Sequence, residues 1–305
     1  MPLKIEINFT HDPMNYTPNF FIVGAPKAGT TALHSYLNDH PQVCMSVDKE
    51  PNFFSHSEIA SQNLYYDKKN VASIEEYLQL FKCKTAEKAI GEASVSYLYY
   101  PDVAKRIFAF NPNAKIIISL REPVSRAFSH YQMDYSQNLV PYTFEEIVKN
   151  GPNDNNSGIY FQQYIQLGEY YDQVKRYLET FGKDQVLIFR HEDLILQTEQ
   201  TVEKIYLFLG IDNLHEFVKI KNQNVTLTGK NIFIKKLYSQ KKLRSIINNL
   251  ISDNIKQKLF KTFFSKDGLP ILTSETKQAL TIYYSQDIKN LQNLINIDLS
   301  SWLSS

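Results

Sequence analysis

Three short apolar runs punctuate the chain, each followed by a turn and then by a segment with helical features. The first, Asn19-Phe-Phe-Ile-Val-Gly24, is continuously apolar until it stops at a glycine. Such a run suits a strand covered on both faces, because a half-exposed strand would alternate. After Ala25-Pro-Lys-Ala-Gly-Thr-Thr31, the apolar positions 32, 33, 36 and 37 keep helical spacing. The second run, Lys115-Ile-Ile-Ile-Ser-Leu120, leads into Arg121-Glu-Pro-Val-Ser-Arg-Ala-Phe-Ser129, where Pro123 is placed to open a helix. The third, Gln185-Val-Leu-Ile-Phe189, precedes His191-Glu-Asp-Leu194 and a helix from about Thr198 to Leu209. Amphipathic stretches over 159–181 and 273–296 read as further helices. Strands alternating with helices predict an α/β fold, a mostly parallel central sheet flanked by helices. The chain, 1–305, reads as a single domain with an N-terminal extension over 1–17. There is no internal repeat, and Gly151–Ser157 is a polar loop, not a linker.

Composition narrows the function classes. At 43% hydrophobic and 13% aromatic residues the chain can bury a large core, which excludes global disorder. Lys+Arg 33 against Asp+Glu 32 leaves a formal charge of +1. So balanced a chain gives no case for nucleic acid or an anionic membrane as partner, and any anion site must be local. The cluster Lys235, Lys236, Lys241 and Lys242 within 221–268 reads as a solvated helix face in preference to a polyanion patch. Two cysteines, Cys44 and Cys83, cannot build a disulfide framework, lack metal-ligand spacing and suit a reducing compartment. Residues 1–8 lack a signal-peptide core, and the apolar runs fall far short of the roughly 20 residues that span a bilayer. A cytoplasmic protein is the expectation.

Gly24-Ala-Pro-Lys-Ala-Gly29-Thr30-Thr31 keeps the two-glycine spacing of a P-loop between a strand and a helix. Such a loop turns backbone N–H groups toward an anion, and the helix dipole assists. A nucleoside-triphosphate P-loop carries lysine directly after its second glycine; here Thr30 stands there and Lys27 comes two residues before Gly29. No strand ends in an aspartate suited to Mg²⁺, and the second ends in Arg121. The site reads as a P-loop-like cradle for a phosphate-like group that needs no metal.

Lys27-Ala-Gly-Thr-Thr-Ala-Leu33 resembles the 5′-phosphosulfate loop of sulfotransferases that use 3′-phosphoadenosine 5′-phosphosulfate (PAPS). Ile117–Ser129 resembles their 3′-phosphate segment. Lys49-Glu-Pro-Asn-Phe-Phe54, Gly91-Glu-Ala-Ser-Val-Ser-Tyr-Leu98, Leu187–Leu194 and Ile288–Trp302 are similar, in the same order, to segments of the bacterial and carbohydrate (heparan sulfate-type) branch. The resemblance implies the sulfotransferase fold, PAPS as co-substrate and 3′,5′-bisphosphoadenosine (PAP) as product.

It also implies roles. Lys27, the N–H groups of Ala28, Gly29, Thr30 and Thr31, and the two threonine hydroxyls would neutralise charge on the leaving phosphate. Ala32 stands where cytosolic members stack a tryptophan on adenine, and His191 stands at their adenine-contacting tyrosine. Arg121 and Ser129 would hold the 3′-phosphate, the arginine through its planar set of donors. Lys230, after Gly229 in the region that closes over the donor, would reach the same phosphate, and 221–268 reads as a donor-covering loop and helical subregion. Glu50 matches the general base of the glycosaminoglycan branch, with Pro51, Phe53 and Phe54 expected to line it and raise its pKa by desolvation. Lys49 would contact the donor sulfate or limit that rise. Glu92 is the competing base, ranked as supporting; Ala93 follows it where carbohydrate enzymes often carry lysine. His34 and His130 read as packed or surface histidines.

The residues do not single out an acceptor; the resemblance implies a hydroxyl, or an amine or carbamoyl nitrogen, of a small molecule or saccharide. No basic belt lies near Glu50 in the sequence, which favours a small alcohol, sugar or secondary metabolite, as in natural-product tailoring. Tyr65, Tyr66, Tyr97, Tyr99, Tyr100 and Tyr135 would line an aromatic pocket or, as the preferred reading, belong to core and rim. The alternatives to a sulfotransferase are a P-loop nucleotide kinase or NTPase, and a catalytically silent nucleotide-binding protein.

Overall fold

The computed structural model describes residues 17–62, 64, 71–84, 87–213, 228–229, 264–265 and 268–304. Most of the stretch 221–268, including Lys230 and the lysine cluster at 235–242, lies outside them, as do Tyr65, Tyr66 and residues 1–16.

A five-stranded sheet forms the centre: β1 (Phe20–Gly24), β2 (Val43–Met45), β3 (Ala89–Ala93), β4 (Lys115–Leu120) and β5 (Val186–Arg190). The order is β2-β3-β1-β4-β5, and every pairing is parallel. Parallel strands need crossover helices, and those cover both faces. Phe20 and Ile22 of β1 pack with Leu33 and Leu37 of α1 (Thr30–Asn38) and with Val202 and Ile205 of α10 (Thr198–Leu209). Phe21 and Val23 face the other way, onto a larger core. That core includes α4 (Val103–Phe110), α5 (Pro123–Ser136), α8 (Tyr170–Phe181) and the C-terminal helix α11 (Ser274–Ile295). Shorter helices complete the layers: α2 (His56–Ser61), α3 (Ile74–Leu78), α6 (Phe144–Asn150), α7 (Gly158–Tyr164) and α9 (His191–Leu196).

The expected α/β sheet is present, with two strands the apolar pattern did not single out. β2 has only three residues, and β3 contains Gly91 and Glu92, which interrupt its apolar run. The stretch 159–181 is not one helix but two, α7 and α8, separated by a turn at Gln166–Gly168. Its cause is tertiary. Tyr284 of α11 donates its hydroxyl to the Ile165 carbonyl (2.8 Å), and Asp287 accepts from the N–H groups of Tyr170 (2.8 Å) and Tyr171 (3.1 Å), capping α8 from a distant helix.

The cysteines require a correction. Read as reduced thiols, Cys44 and Cys83 are bonded to each other. The bridge ties β2 to the segment after α3 and encloses the stretch that carries Lys49 and Glu50. Thirty-nine positions separate the partners, so spacing alone did not reveal that the fold brings them together.

Candidate active site

The loop between β1 and α1 is built for close approach. Lys27 (φ 65°) and Gly29 (φ 81°) both take left-handed backbone conformations. A Cβ at Gly29 would stand 2.9 Å from Cδ2 of His191, so the first residue of α9 packs directly on the loop. Helix α1 starts at Thr30 with no side-chain cap and no acidic residue in its first turn. Its leading N–H groups have no intrahelical acceptor, and a helix start of this kind favours an anion. Thr30 is buried, Ala32 half-buried and Thr31 exposed.

The loop is fastened to β4. Ala25 donates its N–H to the Ser119 carbonyl (2.7 Å), and the Ser119 hydroxyl donates to the Ala28 carbonyl (2.7 Å). Arg121, at the tip of the same strand, donates from Nη1 to the Lys27 carbonyl at 3.1 Å. The two segments expected to grip opposite ends of one nucleotide therefore meet. Burial and the neighbouring Arg121 hold the Lys27 ammonium below the usual lysine range, and burial lowers Arg121 as well. Lys27 Nζ rests 3.4 Å from the Met133 thioether on α5. Tyr170, which lies beside Trp302 with ring centroids 6.4 Å apart, donates to the Arg121 carbonyl (3.0 Å) and braces it from behind. His191 is pushed down to about 4 by burial and then by Arg121, so at neutral pH its ring is an uncharged surface. The pair Arg190–Asp193 (2.7 Å) fixes the turn that presents it.

Ser129 is half-buried on α5, and among the described residues its hydroxyl has no hydrogen-bond partner. The N-terminus of α5 itself is closed. The Glu122 side chain accepts from the N–H groups of Val124 (2.8 Å) and Ser125 (2.7 Å).

The carboxylates divide sharply. Glu50 is half-buried and lies 2.7 Å from Lys49 Nζ, and its charge is felt by Lys27 and by Glu92. In the same segment Phe53 stacks on Tyr77 (4.6 Å) and Phe54 packs edge-on against Phe21, Tyr77 and Tyr97, while the Glu50 carboxylate accepts from the Lys49 ammonium.

Glu92, on β3, is fully buried. Its carboxylate accepts from the hydroxyls of Tyr77 (2.9 Å), Tyr97 (2.8 Å) and Ser94 (2.6 Å). Desolvation raises it to about 7 against those hydrogen bonds, with Glu50 adding to the rise. An acid whose proton is held more tightly in the folded state stabilises the fold fully below its ordinary 4.5 and loses that contribution as pH rises through about 7. Glu92→Gln is therefore expected to flatten the fall in stability between those pH values by roughly 3 kcal/mol. Denaturant midpoints taken across the range measure it, and equal slopes in variant and wild type would contradict it.

Of the six candidate pocket tyrosines, the four among the described residues lie in or against the core. Tyr97 and Tyr100 are core, while Tyr99 and Tyr135 are half-buried beside it. Ser119, Tyr77, Ser94 and Asn52 enter the site's support without having been singled out. Ser119, Ser94 and Asn52 lie inside the motif segments and Tyr77 lies apart from them on α3, and the roles of all four depend on tertiary contacts. Among the described residues one group gathers potential metal-ligand atoms, Cys44, Cys83 and Glu87, and its two sulfurs are bonded to each other. No helix among the described residues is long and apolar enough to cross a membrane.

A sulfotransferase domain model matches residues 17–267. The chain belongs to the sulfotransferase family. It is similar to carbohydrate sulfotransferase 15 of Rattus norvegicus, 27% identical over 69% of this chain and 47% of that one. It is also similar to the bifunctional heparan sulfate N-deacetylase/N-sulfotransferase 1 of Xenopus laevis, 29% identical over 66% of this chain and 23% of that one. The chain thus spans about half the length, or less, of these curated relatives. The crystal structure of a sulfotransferase from Alicyclobacillus acidocaldarius superposes with a TM-score of 0.68 at 29% identity, covering 94% of this chain and 99% of that one. The geometry divides at β1: Arg121 and His191 stand on one side of the loop, Lys49, Glu50 and Glu92 on the other, with Lys27 between them.

Proposed function

We propose that this chain transfers a sulfuryl group from PAPS to an oxygen or nitrogen nucleophile, releasing PAP. The observation that carries the reading is the Arg121–Lys27 contact, which brings the two expected donor-binding segments together. The residues fit the donor: an uncapped helix start and Lys27 for the 5′ end, Arg121 and Ser129 for the 3′-phosphate, and the His191 ring for the base. Transfer breaks the S–O bond to the donor's phosphate and makes a new bond from sulfur to the acceptor atom. Lys27 is placed to meet charge developing on the phosphate oxygen. Glu50 takes the acceptor's proton, and Lys49, ion-paired to it, steadies the carboxylate.

Sulfotransferase relatives named for carbohydrate and heparan sulfate support a saccharide acceptor, with a small alcohol or other metabolite as the second class. The Cys44–Cys83 bridge supports work in an oxidising compartment in place of the cytoplasm expected from sequence.

Thermal unfolding with PAP tests the donor site directly. At a hundred times its dissociation constant the ligand is expected to add about 2.7 kcal/mol, and PAPS with an acceptor pool is expected to yield PAP without added Mg²⁺. No shift with PAP would overturn the reading. A shift without turnover would favour a silent nucleotide-binding protein, and Mg²⁺-dependent ATP turnover a kinase.

A further inference from the structure

The turn that presents Glu50 sits on a buried polar seat. Glu50 (φ 61°) and Asn52 (φ 56°) both occupy the left-handed region with Pro51 between them, a conformation that persists only where the surroundings enforce it. The enforcement is visible. Glu50 donates its N–H to the Ala93 carbonyl (3.0 Å), and Asn52 Nδ2 donates to the Glu50 carbonyl (2.7 Å), so both ends of the Glu50 residue are pinned. Asn52 is in turn held on every side. Its N–H donates to Ser94 Oγ (3.1 Å), its Oδ1 accepts from Ser96 Oγ (2.7 Å), and its carbonyl accepts from the N–H of Ser55 (3.1 Å). Ser96 Oγ also meets Ser55 Oγ at 2.9 Å, and Ser94 Oγ donates to Glu92 (2.6 Å). Asn52 is only 1% exposed and Ser94 fully buried, so these bonds form away from competing water.

We propose that Asn52 is a positioning residue for the sulfuryl-transfer step. Its side-chain amide fixes the direction of the Glu50 turn, Ser96 orients that amide, and Ser94 holds the backbone N–H of the same residue. Glu92 anchors the assembly through Ser94 and does not act as a second base. The proposal rests on Glu50 as the proton acceptor. It follows from the route of the bonds: they run from β3 to the backbone of Glu50, and none of them reaches Lys27 or Arg121. Disturbing the seat therefore misdirects the carboxylate and leaves the donor grip alone. A displacement of about 1 Å in a reacting group costs up to about 10²-fold in rate.

Asn52→Gly is the direct test, because glycine accepts the left-handed backbone and removes only the side-chain bonds. The expected result is kcat lowered about 10²-fold, an unchanged KM for PAPS and an unchanged PAP-induced rise in melting temperature. Folded Asn52→Gly protein with kcat within about twofold of wild type, or with KM for PAPS raised in step with the loss of kcat, would overturn the proposal. If Asn52→Gly does not fold, Ser96→Ala decides on the same split: it removes the donor to Asn52 Oδ1, and about a tenfold loss confined to kcat is expected. A wild-type protein that binds PAP but never turns over PAPS would remove the transfer reading, and the positioning role with it. That result is distinct from an active wild type with an indifferent variant.

Discussion

Glu50→Gln is expected to lower kcat by about 10²–10⁴-fold, with the PAP-induced stabilisation unchanged. Glutamine keeps the shape of the side chain and the backbone bonds from the Glu50 N–H and carbonyl, but it cannot accept the acceptor's proton. The lost ion pair with Lys49 is half-exposed, with side-chain exposures of 24% and 31%, and such pairs are worth at most about 1 kcal/mol. A loss of rate will therefore not be a loss of fold. Turnover at the wild-type level would remove Glu50 from the base role. The role would not pass readily to Glu92, whose buried carboxylate already accepts three hydroxyl donors and would have to break that set to meet an acceptor.

Opening the Cys44–Cys83 bridge is the second large effect. Closing a loop between partners 39 positions apart removes chain entropy from the unfolded state worth about 4 kcal/mol. Cys83→Ser, or unfolding under strong reductant, is expected to shift the denaturant midpoint by a corresponding amount. The bridged stretch contains Glu50 and Asn52, so activity should fall with stability as the segment loosens. Identical midpoints with and without reductant, or ready alkylation of both thiols in the untreated native protein, would contradict the bridge.

Much of this architecture was legible because its signals are local. β1, β4 and β5 are continuous apolar runs, Pro123 opens α5, and the phosphate loop carries its glycine where a left-handed backbone is needed. The parts that stayed hidden depend on residues far apart. Glu92 reads from sequence as a supporting base, and only the fold supplies Tyr77 and Tyr97 as its hydroxyl partners. Asn52 reads as a loop residue until Ser94 and Ser96 enclose it. The break between α7 and α8 is imposed by Tyr284 and Asp287 from the opposite end of the chain. The cysteine pair failed for the same reason, since thiols far apart in sequence say little until the fold places them.

The strand order carries a practical consequence for re-engineering. β1 lies between β3 and β4, so the Lys27 loop at its end is flanked by Arg121 and His191 from the ends of β4 and β5 on one side and by the Glu50 turn, bonded to the end of β3, on the other. Exchanging the Glu50 turn for that of another member then requires the Ser94 and Ser96 hydroxyls to travel with it, because Asn52 depends on both.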